Sequence, residues 1–376
     1  MKTILITGAT GFLGSALTAR SLAEGHRVKA LSRNDPAGQR VRAAVDTAAR
    51  GFGFSLGAEP LSRLSVFQVD FQDLPGTLAP EVLEDVTHVW NVAAEMSYSL
   101  KKILPAVEQN VRATSMLYAL AARRARRCER FYHVSTAYTA GFGVEQVRER
   151  PHVAPRVINA YQLSKWMAES NLLLHHPELG LPVTLFRPSV IIGHHDTGWS
   201  SGASFGLFFL AEALLLGKRR HAEHVQLDLK ADSLLNLVCV DTVVRRALAL
   251  LETRASREDR EIFHCIGDEL IPLAGALEPA WSALGLQAGF GPPRHAVDAE
   301  LQRFLEKNKP FADTTWHFHA DRLQAVLGEA YGPQPMTPEI AGRSLTHFLA
   351  HRLRELARAP VDPAPEAARE AAPGAP

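Results

Sequence analysis

Thr3-Ile4-Leu5-Ile6-Thr7-Gly8-Ala9-Thr10-Gly11-Phe12-Leu13-Gly14 is the stretch that decides the fold. Its first five residues are β-branched or apolar and predict a buried strand, Thr3–Thr7. A helical pattern then runs over Phe12–Glu24, with Gly25 as its C-cap. Between them lie glycines spaced Gly-x-x-Gly-x-x-Gly. Glycine lets the backbone turn sharply, and it lets a pyrophosphate approach the helix N-terminus, where free N–H groups and the dipole favour an anion. An ordinary tight turn also uses glycine. The setting between an apolar strand and a helix is what points to a dinucleotide, held by Gly8, Thr10, Gly11, Phe12, Leu13 and Gly14.

Outward from this stretch, short apolar runs alternate with helical segments. Further strands are expected at Arg27–Leu31, Ser65–Val69, Val86–Val92, Arg130–Ser135 and Val183–Arg187, with Asn236–Asp241 and Glu261–Ile266 as late strands returning to the sheet. That alternation predicts an α/β fold, a Rossmann-type doubly wound parallel sheet. It lapses between Ile192 and Leu235 and again after Gly267, which predicts a smaller, mostly C-terminal substrate-binding domain. The expected division is 1–191 plus 236–266 for the cofactor domain, 192–235 plus 267–358 for the substrate region, and a disordered tail over 359–376. The tail is rich in Pro, Ala and Glu without an apolar period, so truncation at Ala359 is expected to leave folding and activity intact.

The 376 residues suffice for a large core, as one big domain or two joined ones. With 41 basic and 40 acidic side chains the formal charge is +1, which gives no global reason to bind nucleic acid or an anionic membrane. Cys128, Cys239 and Cys265 are too few and too scattered for a disulfide framework or a zinc knuckle. The amino end runs directly into the first strand, so no signal segment is expected. The longest apolar run, Phe205 to Gly217, contains Glu212 and is too short for a membrane span. These features predict a reduced, cytoplasmic protein.

The second strand ends Ala30-Leu31-Ser32-Arg33-Asn34. An acid there would accept from the ribose hydroxyls of NAD, whereas an arginine welcomes the additional phosphate of NADP. Arg33 with Ser32 favours NADPH, although Asp35 stands close by and a solvated strand-end arginine would look the same. Asp70-Phe71, ending the third strand, are candidates to hold the adenine, with an acidic strand-end cap as the plain alternative for Asp70.

Tyr161 and Lys165 stand four residues apart, on one face of a helix. A free phenol titrates near 10, too high for a proton shuttle at neutral pH. A neighbouring ammonium stabilises phenolate and lowers that value. The same lysine can reach the cofactor ribose. Upstream, His133-Val134-Ser135-Thr136-Ala137-Tyr138 ends the fifth strand, so Ser135 or Thr136 can point a hydroxyl into the crevice where open α/β sheets bind ligands.

With Gly8/Gly11/Gly14, Asn91-Val92-Ala93-Ala94, Asn110, Ser135-Thr136-Ala137, Tyr161/Lys165 and Arg187-Pro188-Ser189 in place, residues 1–265 resemble the extended short-chain dehydrogenase/reductase superfamily. The resemblance implies Thr136 as catalytic hydroxyl, Tyr161 as proton donor and Lys165 as its electrostatic partner. It also implies that Asn110 holds a water of the proton relay, and that Ala93 and Pro188-Ser189-Val190 line the nicotinamide site. Within the superfamily, the glycine stretch, His133–Tyr138 and Asn236-Leu237-Val238-Cys239-Val240-Asp241 are similar to the thioester-reductase and fatty-acyl-reductase branch, the male-sterility type. That branch implies NADPH-dependent reduction of an acyl group on CoA or an acyl carrier protein to aldehyde or alcohol. The sequence departs from the branch at Val69, Thr139-Ala140 and Cys239.

Several features have two readings. Arg123, Arg124, Arg126, Arg127 and Arg130 suit either a solvated helix end or docking of an acidic carrier protein. His194-His195-Asp196 and Trp316-His317-Phe318-His319 lack a third ligand, so no metal is expected. Phe205–Leu216 is apolar around nearly the whole helix, as a core helix or as the lining of an acyl site, and weaker use of long chains after Phe208→Asp would favour the lining. The rival functions are an NADP-dependent ketone or alcohol oxidoreductase acting on a lipid, sterol-like or polyketide substrate, a nucleotide-sugar epimerase, and a cofactor-sensing regulator. The regulator would have no need of Thr136, Tyr161 and Lys165 together. A homodimer through sheet-flanking helices is open, with no feature that decides it.

Overall fold

A computed structural model describes residues 1–253 and 257–358; the expectation for the tail at 359–376 lies outside the described residues. Seven parallel strands form the main sheet: β1 (Thr3–Thr7), β2 (Arg27–Ser32), β3 (Leu64–Gln68), β4 (His88–Asn91), β5 (Arg130–Val134), β6 (Val183–Pro188) and β7 (Arg260–Cys265). Their spatial order is β7-β6-β5-β4-β1-β2-β3, all pairs parallel. The order reverses between β1 and β4, and such a switch point opens a crevice at the strands' carboxyl ends.

Every residue of β1 is buried because both faces of the sheet are covered. Ile4 and Ile6 enter the larger core, shared with the first helix, α1 (Phe12–Ala23), and with most of the carboxyl-terminal half. Leu5 points the other way, into a second core with Leu117, Tyr118, Phe131, Leu172 and Leu185. The helices that bear on the site are α2 (Gln39–Gly51), α3 (Ala113–Arg124) and α4 (Ala160–Leu179). Asn159 caps α4 by accepting the Gln162 N–H at 2.8 Å, and Gly180, with φ of 72°, ends it. Ser164, Lys165, Ala168, Glu169 and Leu172 form its buried stripe, so helical spacing alone carries Lys165 inward.

Strand boundaries agree with the periodicity to within two residues. One placement differs. The segment expected to return to the main sheet as Asn236–Asp241 is a strand over Leu234–Cys239, but it pairs with Val190–Ile192 and Leu270–Pro272 in a separate three-stranded sheet. The chain leaves β6 at Ser189, whose N–H donates to Cys265 O at 3.1 Å, and begins this second sheet at once. β7 already occupies the edge beside β6. An apolar run signals a strand and says nothing about its partner.

The other long helices are α5 (Leu207–Arg219), α6 (Val240–Glu252), α7 (Leu273–Ala283), α8 (Ala296–Leu305) and α9 (Pro338–Arg358). α5 packs against α7, α8 and α9. Their core is continuous with that of the sheet. Among the described residues no helix is long and apolar enough to cross a membrane.

Candidate active site

A cavity of about 920 Å³ opens at the carboxyl ends of β1, β4, β5 and β6. The glycine loop forms its floor. Gly8 has φ of 76°, and a Cβ there would lie 2.8 Å from Ala93 N. A Cβ on Gly14 would meet Gly8 O at 2.1 Å, so the loop closes on the helix only because both are glycine. The Thr7 hydroxyl donates to Asn91 Oδ1 at 2.7 Å and accepts from Val92 and Ala93 N–H, both at 3.1 Å. This staples β1 to β4 across the switch point and aims Ala93 at the cavity.

Whether these residues suit a dinucleotide is tested by their unsatisfied groups. Ser135 and Ser189 hydroxyls are buried without a partner, and both residues line the cavity. Buried polar atoms are normally paired, and orphans at the end of two neighbouring strands fit a polar ligand. Thr10, Gly11, Phe12, Leu13, Ser32, Arg33, Phe71, Ala93, Pro188 and Val190 line the same space. Asp70 does not. Its carboxylate accepts the Gln72 N–H at 2.8 Å, the turn-capping role of the plain alternative. Asp35 is also occupied: it accepts the N–H groups of Arg40 and Val41 at 3.1 and 3.0 Å, capping the start of α2. That leaves the end of β2 to Ser32, Arg33 and Arg40. Arg40, missed in the sequence, donates to Arg33 O at 3.3 Å and lines the cavity from the first turn of α2. Only the position of that helix could have signalled it.

Thr136, Tyr161 and Lys165 all line the middle of the cavity. Lys165 Nζ donates to Val134 O at 2.7 Å. Burial lowers its pKa to about 8, opposed by the Glu169 carboxylate one helical turn on. The spacing argument expected Lys165 to pull the Tyr161 phenol down. Instead burial, with a contribution from Tyr98, holds that phenol above its usual range, and the neighbouring Thr136 hydroxyl opposes this. The lysine spends its charge on a carbonyl of β5, and desolvation of the phenolate dominates. A phenol held protonated at neutral pH is the form a proton donor needs.

Asn110 is brought beside these residues, yet its side chain does not reach the cavity. Its Oδ1 accepts the Glu95 N–H at 2.7 Å, and its Nδ2 donates to Glu95 O at 2.9 Å and Ser164 Oγ at 2.8 Å. The residue is fully buried, and the hydrogen bonds of its side chain all go to the protein. It ties the 92–99 loop to α4. Beneath α4, Glu169 takes two hydrogen bonds from Arg187, at 2.8 and 2.7 Å, in a pair with exposures of 3% and 0%. That pair joins β6 to α4, and Arg187 also donates to Arg150 O at 3.0 Å, tying in the segment before the helix.

The far wall is aromatic, and the sequence did not announce it. Tyr98 stacks on Tyr161 with ring centroids 6.4 Å apart, and Phe311 lies 5.4 Å from Tyr98 and 5.9 Å from Tyr138. On α5, Phe208 is 1% exposed and stacks on Phe348 at 4.9 Å. It is a core residue, so the substitution suggested by the sequence would test folding. Leu207, Phe209 and Leu210 are the α5 residues that line the cavity, with Phe209 stacked on Phe304 at 4.4 Å. The helix thus serves both readings, one on each side. His195 bonds Asp196, and His319 bonds Gln146.

A crevice at the switch point, glycine-floored and carrying a serine/threonine, tyrosine and lysine set, is the construction of NAD(P)-dependent oxidoreductases of the extended short-chain type. Residues 6–247 match the profile of the male sterility protein family, and the chain belongs to that family. It is 32% identical over 215 residues to the non-reducing polyketide synthase pkiA of Emericella nidulans, a match covering 54% of this chain and 8% of that protein. Fatty acyl-CoA reductase 1 of Gallus gallus is 25% identical over 289 residues, covering 66% of this chain and 54% of the reductase. The chain therefore spans about half, or far less, of the curated relatives it matches. Among solved structures, the terminal R domain of the myxalamid PKS-NRPS pathway superposes with a TM-score of 0.75 at 21% identity, over 94% of this chain and 92% of that one. That likeness carries the fold.

Proposed function

We propose that this protein is an NADPH-dependent reductase of acyl thioesters, acting on acyl groups carried by CoA or by an acyl carrier protein. The observation that carries the reading is the joining of two halves in one cavity. Thr136, Tyr161 and Lys165 meet the glycine loop on one side and an apolar wall of Phe209, Leu210, Phe304 and Phe311 on the other. Such a wall suits an acyl chain better than a sugar nucleotide. The names of the relatives, a fatty acyl-CoA reductase and a polyketide synthase, support the same class.

Gly8, Gly11, Gly14, Ala93, Ser135, Ser189 and Val190 would hold the dinucleotide, with Ser32, Arg33 and Arg40 at its adenosine end favouring the 2′-phosphate of NADPH. When bound, it supplies a hydride. Thr136 and Tyr161 hydroxyls donate to the thioester carbonyl oxygen, where negative charge develops as the carbonyl carbon is reduced. Tyr161 gives its proton to that oxygen. Lys165, positive below about pH 8, balances the phenolate left behind. The resulting hemithioacetal expels thiol and leaves an aldehyde. The wall of aromatic rings excludes water from this exchange. We place the reaction in the cytoplasm.

The decisive assay mixes the protein with NADPH and a panel of acyl-CoAs, acyl-pantetheines, aldehydes and bulky ketones. NADPH consumption, free thiol and product are followed together. Thiol released in step with NADPH loss is the expected result. Consumption with ketones alone, without thiol, would overturn the reading and move the chain to alcohol and ketone oxidoreduction.

A further inference from the structure

Five cationic side chains line the cavity, Arg33, Arg40, Lys165, Arg303 and Lys307, against a single carboxylate, Glu95. They fall into three places. Arg33 and Arg40 follow β2, Lys165 lies in the middle, and Arg303 and Lys307 stand on α8 and the turn after it. A dinucleotide running along the sheet uses the first group and Lys165. The third group has no work in that arrangement.

Two other cations in this part of the chain, Arg220 and Lys309, are held by carboxylates. Arg220 is bound at both nitrogens by Glu300, at 2.9 and 2.6 Å. Lys309 is held by Asp228 at 3.2 Å and Asp313 at 3.0 Å. Glu300, the acidic residue one turn before Arg303 on α8, is already held by Arg220. Neither Arg303 nor Lys307 has an ion-pair or hydrogen-bond partner among the described residues. The dipole of α8 explains a cation in its last turn, but not a second beyond the helix on the same wall. Phe304 and Phe311 flank Lys307 in sequence, and Phe311 touches Tyr98, which stacks on the catalytic Tyr161. The pair therefore belongs to the substrate's side of the cavity.

We propose that Arg303 and Lys307 form the binding site for the phosphate of a phosphopantetheine thioester, whose acyl end reaches Tyr161 along the aromatic wall. This rests on the thioester reading above. Two unpaired cations at the rim of an apolar passage match a ligand that is anionic at one end and acyl at the other. A ketone or a simple fatty aldehyde would have no use for them. An ammonium and a guanidinium together bind a phosphate oxygen set through charge-assisted hydrogen bonds.

The test compares one acyl group on phosphopantetheine, on CoA and on pantetheine, which lacks the phosphate. For R303A/K307A, KM is expected to rise about tenfold or more with the two phosphorylated carriers, and by a far smaller factor with acyl-pantetheine. Arg303→Lys, which keeps the charge, should restore most of the loss. Equal effects on all three carriers, or none, would overturn the site. A loss confined to acyl groups on a whole carrier protein would also overturn it, because the charges would then serve that protein's surface. Wild-type protein that reduces none of the thioesters would instead overturn the functional reading. Calorimetric titration of free phosphopantetheine into wild type and R303A/K307A then still reads the site: weaker binding by the variant supports it, and equal binding overturns it.

Discussion

At the scale of single residues, protonation sets what the site can do. Tyr161 is protonated across the neutral range, and Lys165 is charged below about pH 8 and neutral above it. Reductive turnover is therefore expected to fall as pH rises through about 8, and a pH–rate profile flat to pH 10 would contradict that assignment. Tyr161→Phe should lose turnover by a hundredfold or more, on the order of one lost oxyanion donor and proton source, while NADPH fluorescence titration still shows binding. At the other end of the cavity, Asp35 is engaged in capping α2, so it does not compete for a ribose. Arg33→Asp is accordingly expected to swing preference toward NADH, read as the ratio of kcat/KM for the two cofactors. An unchanged ratio would remove Arg33 from the phosphate site.

At the scale of elements, α4 carries both Tyr161 and Lys165. It is positioned from below by a buried ion pair. Removing one partner of such a pair leaves an uncompensated charge, and Glu169→Leu is expected to cost about 3–5 kcal/mol by chemical denaturation. Partial loss of Lys165's protonation should accompany it in any protein that stays folded, since Glu169 is the group that raises the lysine's pKa. The Tyr-x-x-x-Lys spacing was legible because helical period and burial agree: 161 and 165 lie one turn apart on the inner face. What spacing could not show was the partner of the lysine, a carbonyl of β5. Nor could spacing show the partners of the Asn110 side chain, Glu95 in the 92–99 loop and Ser164 on α4.

At the scale of the whole molecule, α5 joins the two parts of the chain by facing both. Phe208 belongs to the shared core, where Phe208→Ala is expected to destabilise by about 3–5 kcal/mol. Phe209, one residue on, faces the cavity. Phe209→Asp should lower kcat/KM for long acyl chains more than for short ones, with a small change in Tm. Equal losses across a chain-length series would deny it a lining role. The seven-stranded sheet followed from alternation along the chain, but the three-stranded sheet of Val190–Ile192, Leu234–Cys239 and Leu270–Pro272 did not. Its strands are as apolar as those of the main sheet, and pairing is settled by which edges are already taken.

By itself the amino-acid sequence determined the glycine loop, the strand–helix alternation, the Thr136–Tyr161–Lys165 set and the arginine after β2. Each is a local pattern, a matter of residues a few positions apart in one element, and local sterics and periodicity are legible in a linear string. Only the tertiary structure decided what surrounds them. It placed Tyr98 against Tyr161 and Phe311 against Tyr98, turned Asp35 and Asp70 to backbone capping, brought Arg40 to Arg33, and set Arg303 and Lys307 on the cavity wall without a side-chain partner among the described residues. Those are contacts between segments far apart in the chain, and their geometry is fixed by packing of one core against another, which no short-range pattern encodes.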